Sequence, residues 1–158
     1  MKVRTRKEVV LCSNCRYPRE FFYLSDFSYG EKLLLINDGT EYVFVNLFED
    51  EVFDEFNDIV NTVFKESSIE ITKVKLVEVI NNIFGISCDS IDGKEIDTSL
   101  KDEKCIKCGS KEFESNLIEP EQLIDIEAPI VTHDLWKNLS SKEKRENIER
   151  ELKKRKYI

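Results

Sequence analysis

The sequence predicts an α+β fold: a small antiparallel ribbon, an inserted β-hairpin with a two-helix module, and a C-terminal helix. Three observations point to it. Two Cys-x-x-Cys pairs, Cys12/Cys15 and Cys105/Cys108, lie far apart in the chain, and a shared site would bring their flanking segments together. Asn37-Asp38-Gly39 separates two β-rich runs, and Asp-Gly supplies the positive φ that a hairpin needs. Two stretches, 50–65 and 73–84, repeat apolar residues at helical spacing.

Taken in order, residues 7–11 carry Val9 and Val10 and read as a strand entering the first cysteine pair. Residues 19–25, with Phe21, Phe22, Tyr23 and Leu24, read as the strand leaving it. A matching strand is expected near 112–118, after the second pair. Residues 32–36 and 41–48 form the hairpin. Val52, Phe53, Phe56, Ile59, Val60, Val63 and Phe64 then make one apolar stripe on the first helix. Its acids gather in the N-terminal half, where the helix dipole favours them. Residues 67–71 read as a short strand.

The second helix, 73–84, takes Thr72 as N-cap and Gly85 as C′ residue, with Leu76, Val77, Ile80, Ile83 and Phe84 facing the core. The acidic stretch 89–97 returns to the second cysteine pair, and its glycine and glutamate positions do not fit a twelve-residue calcium loop. Pro120 and Pro129 bracket an irregular connector holding Leu123, Ile124 and Ile126. Thr132 caps a short turn with His133, Leu135 and Trp136, and Ser140 with Glu143 forms a capping box before a helix over 141–156. That helix has few apolar positions, Ile148 and Leu152, so it docks along a thin seam, extends into solvent or binds a partner. The division expected is a discontinuous ribbon in 1–118 (about 8–24 and 101–118) with an α+β insertion at about 25–100, then a connector and charged helix over 119–158.

The cysteines carry the strongest chemical signal. Two Cys-x-x-Cys turns can supply four thiolates to a tetrahedral ion, and soft thiolate suits zinc. Such a site is structural, because no position stays open for water. Gly109 after the second pair permits a tight turn that aims amides at sulfur. The first pair has Arg16 there. Arg16, Lys104 and Lys107 could offset the charge of about −2 on such a centre. Two other readings stay open: a redox dithiol, and disulfides or unliganded thiols. Cys88, the fifth cysteine, reads as a small buried hydrophobe.

The run Lys107-Cys108-Gly109-Ser110-Lys111-Glu112-Phe113, a knuckle followed by a short strand, resembles the zinc-ribbon superfamily. The resemblance covers about 8–24 and 101–117. It implies a ribbon fold and structural zinc on Cys12, Cys15, Cys105 and Cys108, but no particular substrate. The departures are Arg16 and the 89 residues between Cys15 and Cys105, where roughly 15–20 are usual.

Charge narrows the function. Net charge is −8, unevenly spread. Residues 1–7 hold four basic and no acidic side chains, and 137–158 hold nine basic and four acidic. The body between has 11 basic against 28 acidic residues, a net of −17. An acidic body argues against a general nucleic-acid binder, which needs clustered Lys and Arg. The basic ends read as a solvated arm and an exposed helix. No apolar run is long enough to span a bilayer, and the charged start lacks the apolar core of a secretory leader, so a reducing cytoplasm is expected.

No phosphate loop, nucleophile elbow or zincin motif is present, and His133, the only histidine, reads as a local contact with Asp134. The expectation is therefore a non-enzymatic, zinc-stabilised protein-interaction module, in its sharpest form an acidic inhibitor or antidote of a basic partner. Its candidate surface is Glu51, Asp54, Glu55 and Asp58, with the 89–97 loop. The alternative is contact with nucleic acid or the transcription machinery, using Arg4, Arg6, Lys7 and Arg16, with Tyr17 stacking on a base.

Overall fold

The computed structural model describes residues 1–26 and 29–158; Phe27 and Ser28, within the expected insertion, lie outside the described residues. The fold is α+β, with antiparallel strands and α-helices in two compact units. One unit comprises Met1–Asn46 and Leu100–Ile130, the other Leu47–Ser99 and Val131–Ile158.

The first unit is built on strands β1 (Lys2–Leu11), β2 (Pro18–Leu24), β3 (Glu31–Ile36), β4 (Glu41–Asn46) and β5 (Gln122–Glu127). They form an antiparallel three-stranded sheet in the order β2-β1-β5 and a separate β3-β4 hairpin. The basic N-terminal residues are therefore not a solvated arm. They are the central strand, because Val3 and Thr5 alternate with Lys2, Arg4 and Arg6, and alternation lets one face be buried. Val3, Phe44 and Ala128 make a core cluster with Leu24, Leu33 and Ile126 packed against it. The connector expected between Pro120 and Pro129 is likewise an edge strand, with Ile124 and Ile126 half-buried between exposed neighbours. The prolines flank it without occupying a ladder position.

The hairpin turn is tighter in conformation than an Asp-Gly pair alone requires. Asn37, Asp38 and Gly39 all have positive φ, at 51°, 57° and 88°. Asn and Asp tolerate that region better than other side-chain-bearing residues. The strand expected at 112–118 is reduced to one bridge, Cys12 with Phe113, plus amide bonds from Glu114 to Leu11 and from Ile118 to Val9. No strand forms at 67–71 either: helix α1 (Glu51–Ser67) consumes its start, and Ser68 turns the chain with φ 56°.

The second unit packs α1, α2 (Lys73–Ile83), the short α3 (Asp134–Lys137) and α4 (Ser141–Lys154). Asp50 caps α1 by accepting from the Val52 and Phe53 amides, and Thr72 caps α2 through the Lys75 amide. The buried face of α2 holds Ile80 and Ile83 as expected, followed by buried Phe84, with Leu76 half-buried; Val79 joins them, whereas Val77 is 57% exposed and faces away. Gly85 is not a left-handed C′ residue. It lies in a 3₁₀ turn over Phe84–Ser87, where a Cβ would stand 2.1 Å from the Ile96 carbonyl oxygen.

The core centres on Phe84, which meets Phe53 and Phe56 edge to face with ring centroids 5.0 and 5.5 Å apart. Helix α4 starts with the expected Ser140–Glu143 capping box and docks within its own unit, with Ile148 and Leu152 fully buried. Beside these two apolar residues, Lys144 reaches Glu55 at 2.8 Å and Arg145 pairs with Glu66 along the seam.

Candidate metal centre

The four cysteines of the two pairs converge. Their Sγ atoms all lie within 4.8 Å of one another, with Cys12–Cys108 and Cys15–Cys105 each at 3.5 Å. Bonded sulfurs would be about 2.05 Å apart. Sulfurs on a tetrahedral ion with bonds of about 2.3 Å would be about 3.8 Å apart. The observed set fits a four-thiolate metal site and excludes disulfides among these cysteines in this structure.

Two equivalent turns build the site. In the first, the Arg16 amide donates to the Cys12 carbonyl at 2.9 Å and the Cys12 amide to the Tyr17 carbonyl at 3.0 Å. In the second, the Gly109 amide donates to the Cys105 carbonyl at 2.9 Å and the Cys105 amide to the Ser110 carbonyl at 2.8 Å. Each turn then needs a left-handed residue after its second cysteine, and Arg16 and Gly109 supply it with φ 64° and 75°. Backbone amides reach the sulfurs, from Tyr17 to Cys15, from Cys108 and Lys107 to Cys105, and from Ser110 to Cys108.

The four thiols have different surroundings. The Asn14 side chain and the Ser110 amide hold the Cys108 thiol down to about 6, despite burial. At Cys15 the Tyr17 amide lowers the pKa, but burial and the neighbouring thiols push it up to about 12. Four thiolates this close would need a cation to balance them, which is the service a divalent metal performs. Arg16, Lys104 and Lys107, the counter-charges expected beside it, each have a contact elsewhere. Arg16 pairs with Glu114 at 2.9 Å, Lys104 with Asp38 at 3.9 Å, and Lys107 stands 5.9 Å over the Tyr17 ring.

The basic residues considered for nucleic acid are similarly engaged. Arg4 meets Asp125 at 3.3 Å, Arg6 meets Glu121 at 3.2 Å, and Lys7 meets Glu119 at 3.5 Å. Cross-strand register explains the first of these, since Arg4 faces Asp125 directly in the β1–β5 ladder. On α1, Glu55 is used within its own unit, by Lys144 and by the Trp136 indole N–H at 3.2 Å. Glu51, Asp54 and Asp58 are exposed and carry no ion pair among the described residues.

His133 does not contact its neighbour Asp134. It is buried, with Nε2 2.7 Å from the Asp50 carboxylate and Nδ1 2.7 Å from the Ser87 carbonyl. Both partners are acceptors, so both ring nitrogens are placed to donate, as a protonated imidazole does. Burial alone would lower its pKa, but the bonds to Asp50, Cys88 and the Ser87 carbonyl raise it to about 10. Thr132 is not a cap either: its hydroxyl donates to Asp89 at 2.6 Å, and Asp89 itself accepts the Asp134 and Leu135 amides at the start of α3. Cys88 is half-buried and directs its thiol to the Phe84 carbonyl at 3.7 Å.

Comparison with protein-family models, with curated proteins and with solved structures finds no match to this chain. Among the described residues, no helix is long and apolar enough to cross a membrane.

Proposed function

We propose that this chain is a non-enzymatic protein-interaction module of zinc-ribbon type, stabilised by Zn²⁺ and offering the acidic face of α1 to a basic partner. The convergence of Cys12, Cys15, Cys105 and Cys108 carries the reading. Thiolates select zinc among abundant divalent ions, and four of them fill its tetrahedral sphere. The metal then contributes folding energy and has no open position for Lewis-acid chemistry. Glu51, Asp54 and Asp58 support the partner assignment, because i, i+3 and i+7 spacing puts them on one side of the helix. Uncompensated charge of one sign speeds encounter with the opposite sign and rejects like-charged competitors. An inhibitor or antidote that covers a basic active site is one form of such a module.

The pairing of Arg4, Arg6, Lys7 and Arg16 with carboxylates favours this reading over nucleic-acid binding. The test is a pull-down at physiological salt, with and without nuclease, using the native protein and a Glu51→Lys, Asp54→Lys, Asp58→Lys variant. A basic protein retained after nuclease and lost by the variant is the expected result. Capture of nucleic acid alone, or equal capture by both forms, would reject it.

A further inference from the structure

We propose that Arg19 is the positioning residue of the metal centre, locking the two cysteine turns into register through three backbone carbonyls. The inference rests on the four-thiolate reading of the site. Arg19 is only 3% exposed, an uncommon place for a guanidinium. Its hydrogen bonds go to main chain. Nε donates to the Lys104 carbonyl at 3.1 Å, Nη2 to the Gly39 carbonyl at 3.0 Å, and Nη1 to the Glu20 carbonyl at 3.2 Å. No carboxylate pairs with it among the described residues, and the Phe21 ring lies 5.8 Å from its Cζ. A buried cation without a counter-ion is expensive, so its geometry has to serve something.

The carbonyls it joins show what. Arg19 sits in β2, four residues after Cys15, and Lys104 immediately precedes Cys105. One side chain thus bridges the exit of the first turn to the entrance of the second. Gly39 closes the triangle, because its carbonyl also accepts the Lys104 amide at 3.0 Å. The hairpin tip thereby clamps the same backbone. The planar fork of arginine can hold three carbonyls at fixed angles, which an ammonium on a flexible stem does not reproduce. Groups that orient ligands without touching the metal typically change its affinity about 10- to 100-fold.

The experiment compares metal loss from the loaded native protein, Arg19→Gln, Arg19→Lys and Val43→Ala. Val43 is fully buried in the same unit, and its truncation supplies a destabilised control without Arg19 chemistry. Co²⁺ is used as a spectroscopic probe and its release to excess chelator is timed below the melting temperature of each loaded form. The expected result is at least tenfold faster release from both Arg19 variants, with the tetrahedral thiolate spectrum retained and the Val43 variant close to native. Reading release from the loaded state keeps the result meaningful even where a metal-free variant does not fold. Native-like release from Arg19→Lys, or release from the Arg19 variants no faster than from Val43→Ala, would overturn the proposal. Absence of a thiolate cobalt spectrum from the native protein would overturn the metal reading itself, and the proposal with it.

Discussion

Arg16 and Gly109 occupy the same place in the two cysteine turns, each one residue past the second cysteine and each left-handed, at φ 64° and 75°. The backbone bonds around them repeat to within 0.2 Å, so geometry and not residue type defines the position. A left-handed residue with a Cβ is disfavoured by about 1–2 kcal/mol relative to glycine. Arg16 recovers part of that through an exposed pair with Glu114, a class worth about 0–1 kcal/mol. Gly109→Ala should therefore destabilise the metal-loaded protein by about 1 kcal/mol. Arg16→Gly should be neutral or slightly stabilising. The Ala Cβ would meet no atom within 4 Å, so a loss at Gly109 reports backbone conformation alone. Chemical denaturation of both variants checks the pair of signs, and a stable Gly109→Ala protein would contradict the argument.

Removing a ligand is a different perturbation. Cys12→Ser and Cys105→Ser each leave three thiolates of the cluster and break the join between chain segments 90 or more residues apart. Metal content should fall well below one ion per chain, and the first unit should lose most of its cooperative unfolding, since binding energy of a structural site is folding energy. Chelation of the native protein should reproduce the loss. Cys88→Ser should keep its metal, because Cys88 belongs to the other unit. Elemental analysis and calorimetry decide, and unchanged zinc in Cys12→Ser would remove the tetrad.

The His133–Asp50 contact predicts a pH dependence with a defined sign. His133 is raised from an ordinary 6.5 to about 10, so its stabilising contribution is complete below about 6.5 and is lost as pH rises through 10. Asp50 is shifted the other way. Burial would raise its carboxyl, but His133 and the capped amides hold it below the ordinary range. Its contribution is present above about 3.8 and disappears as pH falls below that value. The second unit should thus gain most from the pair between about pH 4 and 6.5. His133→Gln should lower stability in that window and flatten the decline between pH 7 and 10. Parallel pH profiles of native and variant unfolding would show that the imidazole does not titrate as described.

What sequence reading could and could not see follows from the range of the interactions. The cysteine pairs, the Asp-Gly turn and the Thr72 and Ser140 caps are local signals, and the fold places them as read. Residues 122–127 are short, only weakly patterned and bracketed by prolines, so locally they read as a connector; pairing to β1, over 100 residues away, settles their conformation. Arg19 carried no signal at all, because three carbonyls brought by tertiary structure are its partners. Asp50, read only as a helix start, doubles as the anchor of His133 across 83 residues. Val77 and Val79 are both compatible with a helix of this composition, and only packing selects Val79.

Gly85 offers the sharpest test of close packing. Its backbone lies in a 3₁₀ turn without positive φ, so alanine is conformationally acceptable and by intrinsic propensity preferable. Yet an added Cβ would sit 2.1 Å from the Ile96 carbonyl oxygen and 3.2 Å from the Thr98 amide nitrogen. Both are backbone atoms and cannot rotate away. The Gly85 amide is also held in place, since it donates to the Thr98 hydroxyl at 2.9 Å. Gly85→Ala must displace the segment around Ile96, itself 5% exposed in the core, and should destabilise the second unit by about 1–3 kcal/mol. Its effect should appear in thermal unfolding while metal content stays native. A Gly85→Ala protein as stable as the native one would mean that the chain around Ile96 does not approach this turn as closely as the structure places it.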